Sequence, residues 1–565
     1  MREGEIRCCC QGVMLTDTDN AGTPGFKFSH SGLCHFGLRG GILVGSEQVQ
    51  PEKQEPTAVK LMSVFSIFAG KPQHPLADPR EAKEILADLA TREPQSALEE
   101  SVAWLEALAE YEDIKLPLRI ERLVQLEDVL TPQIRRLART YIARLAVPES
   151  RAASEARLWD VCYNYWSQLA AAYATCLSRF DAPGLDSESK RNAKSMLVHI
   201  GVRMMHALAE QRKWEQFQYK PATVDFWGAA GGLYSRAVAA KMESRDVELY
   251  PGQETTTIEL EYLKALLLQS SSPDKLALIE IELADRLLSH FLPWFIFTKE
   301  LRRDNMYWVD ISKPLPPTRM AKVPEPSDSL RFFSGGGALA AIAELIDQIN
   351  HDKKLPTNVV LGAQYDTETV LKVLAHLSLY WSPTPPTRSH TRRPIRSSLS
   401  VAHGLTSSHQ HVLGQPDFGK SLYRWEADDI SLGGMSARIR EGRQDWINIG
   451  VLLVVQPEGG DNWIAGVVRR YVRYDARQGA VGIQTLSRAP RSVVADAGGI
   501  ETAALLLDMP VVGEYARMAL PPAALEDKVA LKFSLDDMNA RFHPREVLER
   551  GPGYVVANFF VQSYS

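Results

Sequence analysis

Apolar residues recur at helical spacing from about Asp78 to Tyr380 and at strand spacing from about Ser398 to the end, so the chain divides by period into two parts. In the first part, Ser96 with Glu99 reads as a capping box, after which Leu98, Val102, Leu105 and Leu108 share one helical face. Leu123, Leu126 and Leu130 continue the pattern, and Thr131-Pro132 reads as the start of a further helix bearing Ile134, Leu137, Tyr141 and Leu145. Val161 to Leu177 is apolar almost all round and predicts a buried helix. Trp227, Leu233, Tyr234 and Ala237, and the run Tyr262 to Leu268, are similar to tetratricopeptide-like helix pairs. No fixed period survives counting, which leaves an all-α domain open to a solenoid-like arrangement.

In the second part, short runs separated by Gly, Pro and Asp predict antiparallel strands: Ser398 to His403, Leu422 to Ile430, Met435 to Ile439, Trp446 to Val455, Trp463 to Tyr474 and Val481 to Leu486. Such spacing points to an all-β barrel and not to βαβ units. Beyond Arg488, Val529, Leu531 and Phe533 alternate, and Tyr554 to Val561 predicts a last strand.

The strand region opens on Arg392-Arg393-Pro394-Ile395-Arg396, an R-x-x-x-R run, and Asp429-Ile430-Ser431-Leu432-Gly433-Gly434, a D-x-S-x-x-G run, follows 37 residues later. From Thr369 to Pro416 there is no Asp or Glu, while Arg388, Arg392, Arg393 and Arg396 fall inside that window, so the local potential is positive and attracts an anion. In that order, with strand-like sequence after each run, the pair resembles the signature of the PilZ domain, a small β-barrel that binds the bacterial second messenger cyclic di-GMP. Gly466 to Arg470 and Val481 to Gln484 also resemble late strands of such barrels. The resemblance covers roughly residues 388 to 488, under a fifth of the 565-residue chain.

The chemistry of that ligand suits these residue types. Its two phosphodiesters and the O6 and N7 edges of its guanines accept planar, two-point contacts from a guanidinium, a geometry that lysine lacks. A carboxylate accepts from the guanine N1 and N2 donors. The resemblance therefore implies ligand contacts from Arg392, Arg396, Asp429, Ser431 and Gly434, with Gly433, Arg393 and Arg388 beside them. Arg388 to Arg392 satisfies the same spacing, but Arg396 abuts the first strand as the family places it. The residue before Arg392 is Thr391, where many members carry a further arginine, so one ligand per barrel is expected and not a stacked pair. Arg469, Arg470 and Arg473 read as the wet face of an alternating strand, the alternative being a ligand mouth.

Composition bounds the rest. The chain is long enough for several domains, its net charge of -5 argues against bulk nucleic-acid binding, and no apolar run reaches the roughly 18 residues of a spanning helix. Cys162 and Cys176 fall on one predicted helix, about 21 Å apart along its axis, so no disulfide framework is expected and the compartment reads as reducing and cytoplasmic. Residues 1–61, with Cys8-Cys9-Cys10 and scattered glycines, read as disordered or as a start-site artefact upstream of Met62. Ser334 to Gly337 reads as a simple helix start, since it lacks the lysine of a phosphate loop and no clear strand precedes it. His206, His290 and His376 lie on apolar helical stretches without a partner at metal spacing, and no metal, cofactor or catalytic constellation is assigned.

The expected organisation is thus a helical domain over 62–380, a proline-rich linker over 381–387, a PilZ-like barrel over 388–488 and a β-rich C-terminal extension over 489–565, packed on or beside the barrel. The expected function is non-catalytic cyclic di-GMP reception, with the helical domain relaying the signal to a protein partner. The alternative is a ligand-free PilZ-like scaffold that acts through its helices.

Overall fold

The computed structural model describes residues 74–563 apart from 146–152, 253, 358, 360, 363, 385, 388–389, 416–421, 441–443, 497, 526–528 and 536–537. The readings made on residues 1–61 and Met62 lie outside the described residues. All described residues fall within one compact unit.

Among the described residues, nine α-helices come first: α1 (Pro79–Thr91), α2 (Pro94–Glu110), α3 (Leu116–Leu145), α4 (Ala153–Asp181), α5 (Ser187–Lys194), α6 (Leu197–Gln216), α7 (Val224–Ala239), α8 (Ile258–Ser270) and α9 (Leu278–Phe291). A small ribbon, β1 (Val247–Glu248) with β2 (Thr255–Thr256), lies between α7 and α8. Two readings of the helix starts are corrected. Helix α2 begins two residues before Ser96: Pro94 occupies the first turn and the carboxylate of Glu93 accepts from the Ser96 amide at 3.0 Å, while Glu99 pairs with Arg157. Pro132 does not open a new helix but lies inside α3, because Leu126 and Leu130 before it and Ile134 and Leu137 after it are buried on one continuous side. That packing outweighs the roughly 3 kcal/mol that an internal proline costs a helix. Helix α4 is continuous and buried as its pattern predicts, and Cys162 and Cys176 are free thiols within it. Burial pushes the Cys176 thiol up to about 12.

A buried ionic knot ties these helices together. Glu127 of α3, fully buried, accepts from Tyr173 at 2.5 Å, Tyr250 at 2.7 Å and Arg203 at 2.8 Å, and Arg203 also reaches Asp128. His206 pairs with Glu261 at 3.0 Å and His376 meets the Ser271 carbonyl at 2.6 Å, so both are satisfied core or boundary histidines.

The helical period breaks between Ile296 and Ser334. There β3 (Ile296–Thr298), β4 (Tyr307–Asp310), β5 (Thr318–Arg319) and β6 (Leu330–Ser334) form an antiparallel sheet in the order β3-β6-β4-β5. The glycine turn after Ser334 therefore does follow a strand, one whose five residues are all buried and so show no alternation to read. The Gly337 amide donates to the Trp294 carbonyl, which closes the turn on the protein itself. Helices α10 (Ala338–Asp352) and α11 (Thr367–Trp381) complete the region.

Two closed six-stranded antiparallel barrels follow. The first comprises β7 (Arg393–His403), β8 (Tyr423–Ile430), β9 (Gly434–Ile439), β10 (Leu452–Pro457), β11 (Ile464–Arg473) and β12 (Gly479–Ser487), in the order β10-β11-β12-β9-β8-β7. Helix α12 (Leu405–Leu413) joins β7 to β8. Strand β10 starts six residues later than the apolar run from Trp446, because the backbone is spent on turns from Gln444 to Ile447 and from Asn448 to Val451. The C-terminal β extension is itself a closed barrel of β13 (Arg491–Asp496), β14 (Glu501–Leu506), β15 (Tyr515–Leu520), β16 (Leu531–Leu535), β17 (Met538–Gly551) and β18 (Tyr554–Ser563). It packs on the first barrel through one shared core in which Leu452, Val454, Ala465 and Val467 meet Leu505, Leu507, Tyr554 and Val556.

The first barrel also docks on the helices, through polar groups. The Arg473 amide donates to the Tyr219 carbonyl at 2.9 Å, its guanidinium reaches Gln218 at 2.8 Å, and the rings of Tyr219 and Tyr471 lie 5.2 Å apart.

Candidate ligand-binding site

Strand pairing brings the two arginine- and aspartate-bearing runs together. In the β7–β8 register Arg393 faces Ile430 and Pro394 faces Asp429, so Arg392, one residue before β7, lies beside the aspartate. Its Nη1 donates to both Asp429 oxygens, at 2.8 and 3.1 Å. Pro394 is tolerated because it sits near the strand start, where the register shifts before Ser397.

The turn after β8 is closed by Ser431, whose amide and hydroxyl both donate to the Gly434 carbonyl, at 2.7 and 3.0 Å. Gly434 then enters β9 against β12 so closely that a Cβ would stand 2.1 Å from the Ile483 carbonyl oxygen. A Cβ on Gly433 would come within 2.8 Å of the His390 ring, which lies against it. Both glycines serve close approach.

These residues border a cavity of about 450 Å³. Arg392, His390, Ser431, Gly433, Gly434 and Ser436 form one wall, β11 and β12 supply Arg469, Arg470, Val472, Tyr474 and the segment from Ala480 to Gln484, and Lys275 reaches in from the helices. Four of the lining side chains are cationic and none is a carboxylate. Carboxylates stand behind three of the four: Asp429 on Arg392, Glu549 of the second barrel on Arg469 at 2.6 Å, and Asp274 on Arg470. Burial alone would lower Arg470, but Asp274 more than offsets it and holds the guanidinium above its ordinary value. Lys275 donates to the Tyr380 hydroxyl and has no carboxylate partner among the described residues.

The predicted residues are thus split. Arg392, Asp429, Ser431, Gly433 and Gly434 converge. Arg396 lies elsewhere, at a shallow depression of about 360 Å³ with Pro394, Ile395, Asp428 and Arg438. The reason is in the registers: both β7 and β8 are irregular here, between Pro394 and Ser397 and between Ala427 and Asp429, and a bulge re-aims the side chains around it. Arg393 opens β7 exposed and off the cavity. Arg388 lies outside the described residues.

Arg469 and Arg473 are half-buried and Arg470 is exposed, as on a wet face, while Arg469 and Arg470 also line the cavity, so each of the two readings holds in part. Alternation marks a polar face without saying what covers it, and here the cover is Glu549 on one side and Asp274 and Gln218 of the helical region on the other. Lys275, His390 and Tyr474 were not found from sequence. Lys275 lies in a three-residue 3-10 turn almost two hundred residues from Arg470, and nothing local signals that it meets the barrel.

With that geometry in view, the helical region identifies a relative. Residues 80–300 match the family described as Cyclic-di-GMP receptor FimW, N-terminal domain. The FimW match runs from α1 to just past β3, under half of the chain, and stops short of both barrels. It includes Asp274 and Lys275, which touch the barrel and the cavity. No curated protein matches the chain. Among the described residues, no helix is long and apolar enough to cross a membrane.

Proposed function

We propose that the chain is a non-catalytic cyclic di-GMP receptor whose first barrel is of PilZ type and whose helical region passes the signal to a protein partner. One observation carries this reading: Arg392, Ser431, Gly433 and Gly434, chosen by motif, border one cation-lined cavity of about 450 Å³, and Asp429, also chosen by motif, stands behind Arg392 as its ion-pair partner. The independent match of the helices to the N-terminal domain of a cyclic di-GMP receptor supports it.

In the proposed complex a ligand phosphate or guanine edge takes the guanidinium fork of Arg392, and Asp429 accepts from a guanine N1–H and N2–H. Ser431 and the glycine backbone approach the ligand closely, and Arg388 and Arg393 add positive charge. Arg396, on the irregular start of β7, contributes once the segment before β7 closes on the ligand. A single ligand per barrel fits this charge inventory.

A second reading has one observation in its favour. Arg392, Arg469 and Arg470 already hold carboxylates, as they would in a ligand-free scaffold. Calorimetric titration of the purified chain with cyclic di-GMP separates the two. Binding near one per chain that weakens in Arg392→Ala supports the receptor, and the absence of heat at millimolar ligand supports the scaffold.

A further inference from the structure

We infer that Lys275, from the helical region, is a direct phosphate contact of the ligand that fills the barrel cavity, so that the helices themselves sense occupancy. This rests on the receptor reading of the same cavity and adds a residue and a route that the motifs do not contain.

The inference starts from the geometry. Lys275 lines the same cavity as Arg392, and it is the one cation there without a carboxylate behind it among the described residues. An ammonium has three N–H donors. The Tyr380 hydroxyl takes one, at 2.5 Å, and the Tyr380 ring lies 5.0 Å from the nitrogen. The lysine is therefore positioned by an acceptor that leaves its charge uncompensated, as a site for a phosphate requires. Arg392 spends one Nη1 on Asp429, so the two groups differ in kind: one is already neutralised, the other awaits an anion.

The route follows from what holds Lys275. Its turn begins at Pro273, beside Asp274, which grips Arg470 of β11. The preceding Ser271 accepts from the Trp381 indole at 3.0 Å and, by its carbonyl, meets His376. Tyr380 and Trp381 end α11, the helix from which the chain leads directly into the arginine loop. A ligand bridging Lys275 and Arg392 closes a ring of contacts through helices, loop and barrel. Binding must then stabilise the 271–276 turn, whose amides at Lys275 and Leu276 are held only by the local carbonyls of Ser272 and Pro273.

The test is calorimetry and hydrogen exchange on the full chain with cyclic di-GMP. Lys275 is exposed, so Lys275→Ala is expected to fold normally. It should bind about tenfold more weakly, the loss of one charge-assisted contact. Lys275→Arg should recover most of that, and Tyr380→Phe, which keeps the ring but not the acceptor, should lose a few-fold. Ligand should slow exchange across 271–276 in the wild-type chain and not in Lys275→Ala. Wild-type affinity in Lys275→Ala, or equal protection of 271–276 in both, overturns the inference while leaving the receptor intact. No binding by the wild-type chain overturns both, and loss in Arg392→Ala tells the two failures apart.

Discussion

Replacing Arg392 by alanine should separate ligand binding from folding more cleanly than any other single change. In the free protein its Nη1 sits 2.8 and 3.1 Å from the Asp429 oxygens, with the two side chains 33% and 28% exposed. A pair that wet contributes under about 1 kcal/mol to stability, so the denaturation midpoint should barely move. In the proposed complex the same guanidinium makes a charge-assisted contact of roughly 1.5–3 kcal/mol, tenfold to over a hundredfold in Kd. Its removal also leaves Asp429 uncompensated beside a dianion, which adds to the loss. Asp429→Asn, which loses the charge that receives the guanine N1–H and N2–H, should weaken binding as well, and the double variant should lose less than the sum of the two single losses because the pair acts together. Calorimetry at fixed salt measures all three proteins. If Arg392→Ala binds within twofold of the wild type while remaining folded, the cavity is not the ligand site. If Arg396→Ala loses more than Arg392→Ala, the ligand engages the far side of β7 and the cavity is secondary.

Three further outcomes test the fold around the site. Glu127→Ala should cost roughly 3–5 kcal/mol in urea denaturation, because it strands Arg203 in the core; a loss below about 1 kcal/mol would show that Arg203 finds Asp128 sufficient. Gly434→Ala should lower barrel stability by roughly 1–3 kcal/mol and binding with it, since strand β12 must give way, whereas Gly433→Ala displaces only the His390 ring and should leave the midpoint unchanged. Burial and, second to it, Arg119 hold His74 down to about 4, against 6.5 for the free side chain. Between those values the unfolded chain binds more protons, so this contribution is complete above pH 6.5 and is lost as pH falls towards 4, by up to about 3 kcal/mol. His74→Asn should flatten that part of the pH profile, and an unchanged slope between pH 7 and 4.5 would refute it.

What was legible in the sequence was whatever repeats locally. Strands β8, β9, β11 and β12 lie close to their predicted positions because Gly, Pro and Asp turns bound each apolar run. Helix α4 was legible because no other structure buries so long an apolar run. Strand β6 was not, since burial of all five residues erases the period. Helix α12 is nine residues of mixed Ser, His and Gln between two good strands, too short and too weakly amphipathic to announce itself. Among the described residues, β13 meets β16 at one paired position, Asp496 with Lys532, a contact that no local window contains. The same holds for the site. Arg392 and Asp429 were found because the motif names both, while Lys275 and Arg470 meet only once the helices and β11 have docked.

The two faces that the first barrel offers its neighbours differ in what holds them, and that difference bears on how a signal leaves the cavity. Against the second barrel it buries a common apolar core, backed by the Tyr554 hydroxyl on the Gly450 carbonyl and the two-point pairing of Arg469 with Glu549. Close-packed apolar surface resists small displacements, since any slip opens voids on both sides. Against the helices the contacts are mostly polar, Arg470 with Asp274, Arg473 with Gln218 and one backbone hydrogen bond to Tyr219, with a single aromatic contact between Tyr219 and Tyr471. Hydrogen bonds of this kind exchange with water at a net cost of about 1 kcal/mol each. The cavity lies on that second seam, with Arg470 in both the seam and the lining. On the proposed reading, a dianion arriving there should draw on Arg470 in competition with Asp274, and so act on the polar seam. On the proposed receptor reading, the two barrels should move as one body, and the helical region should be the part whose orientation changes on binding.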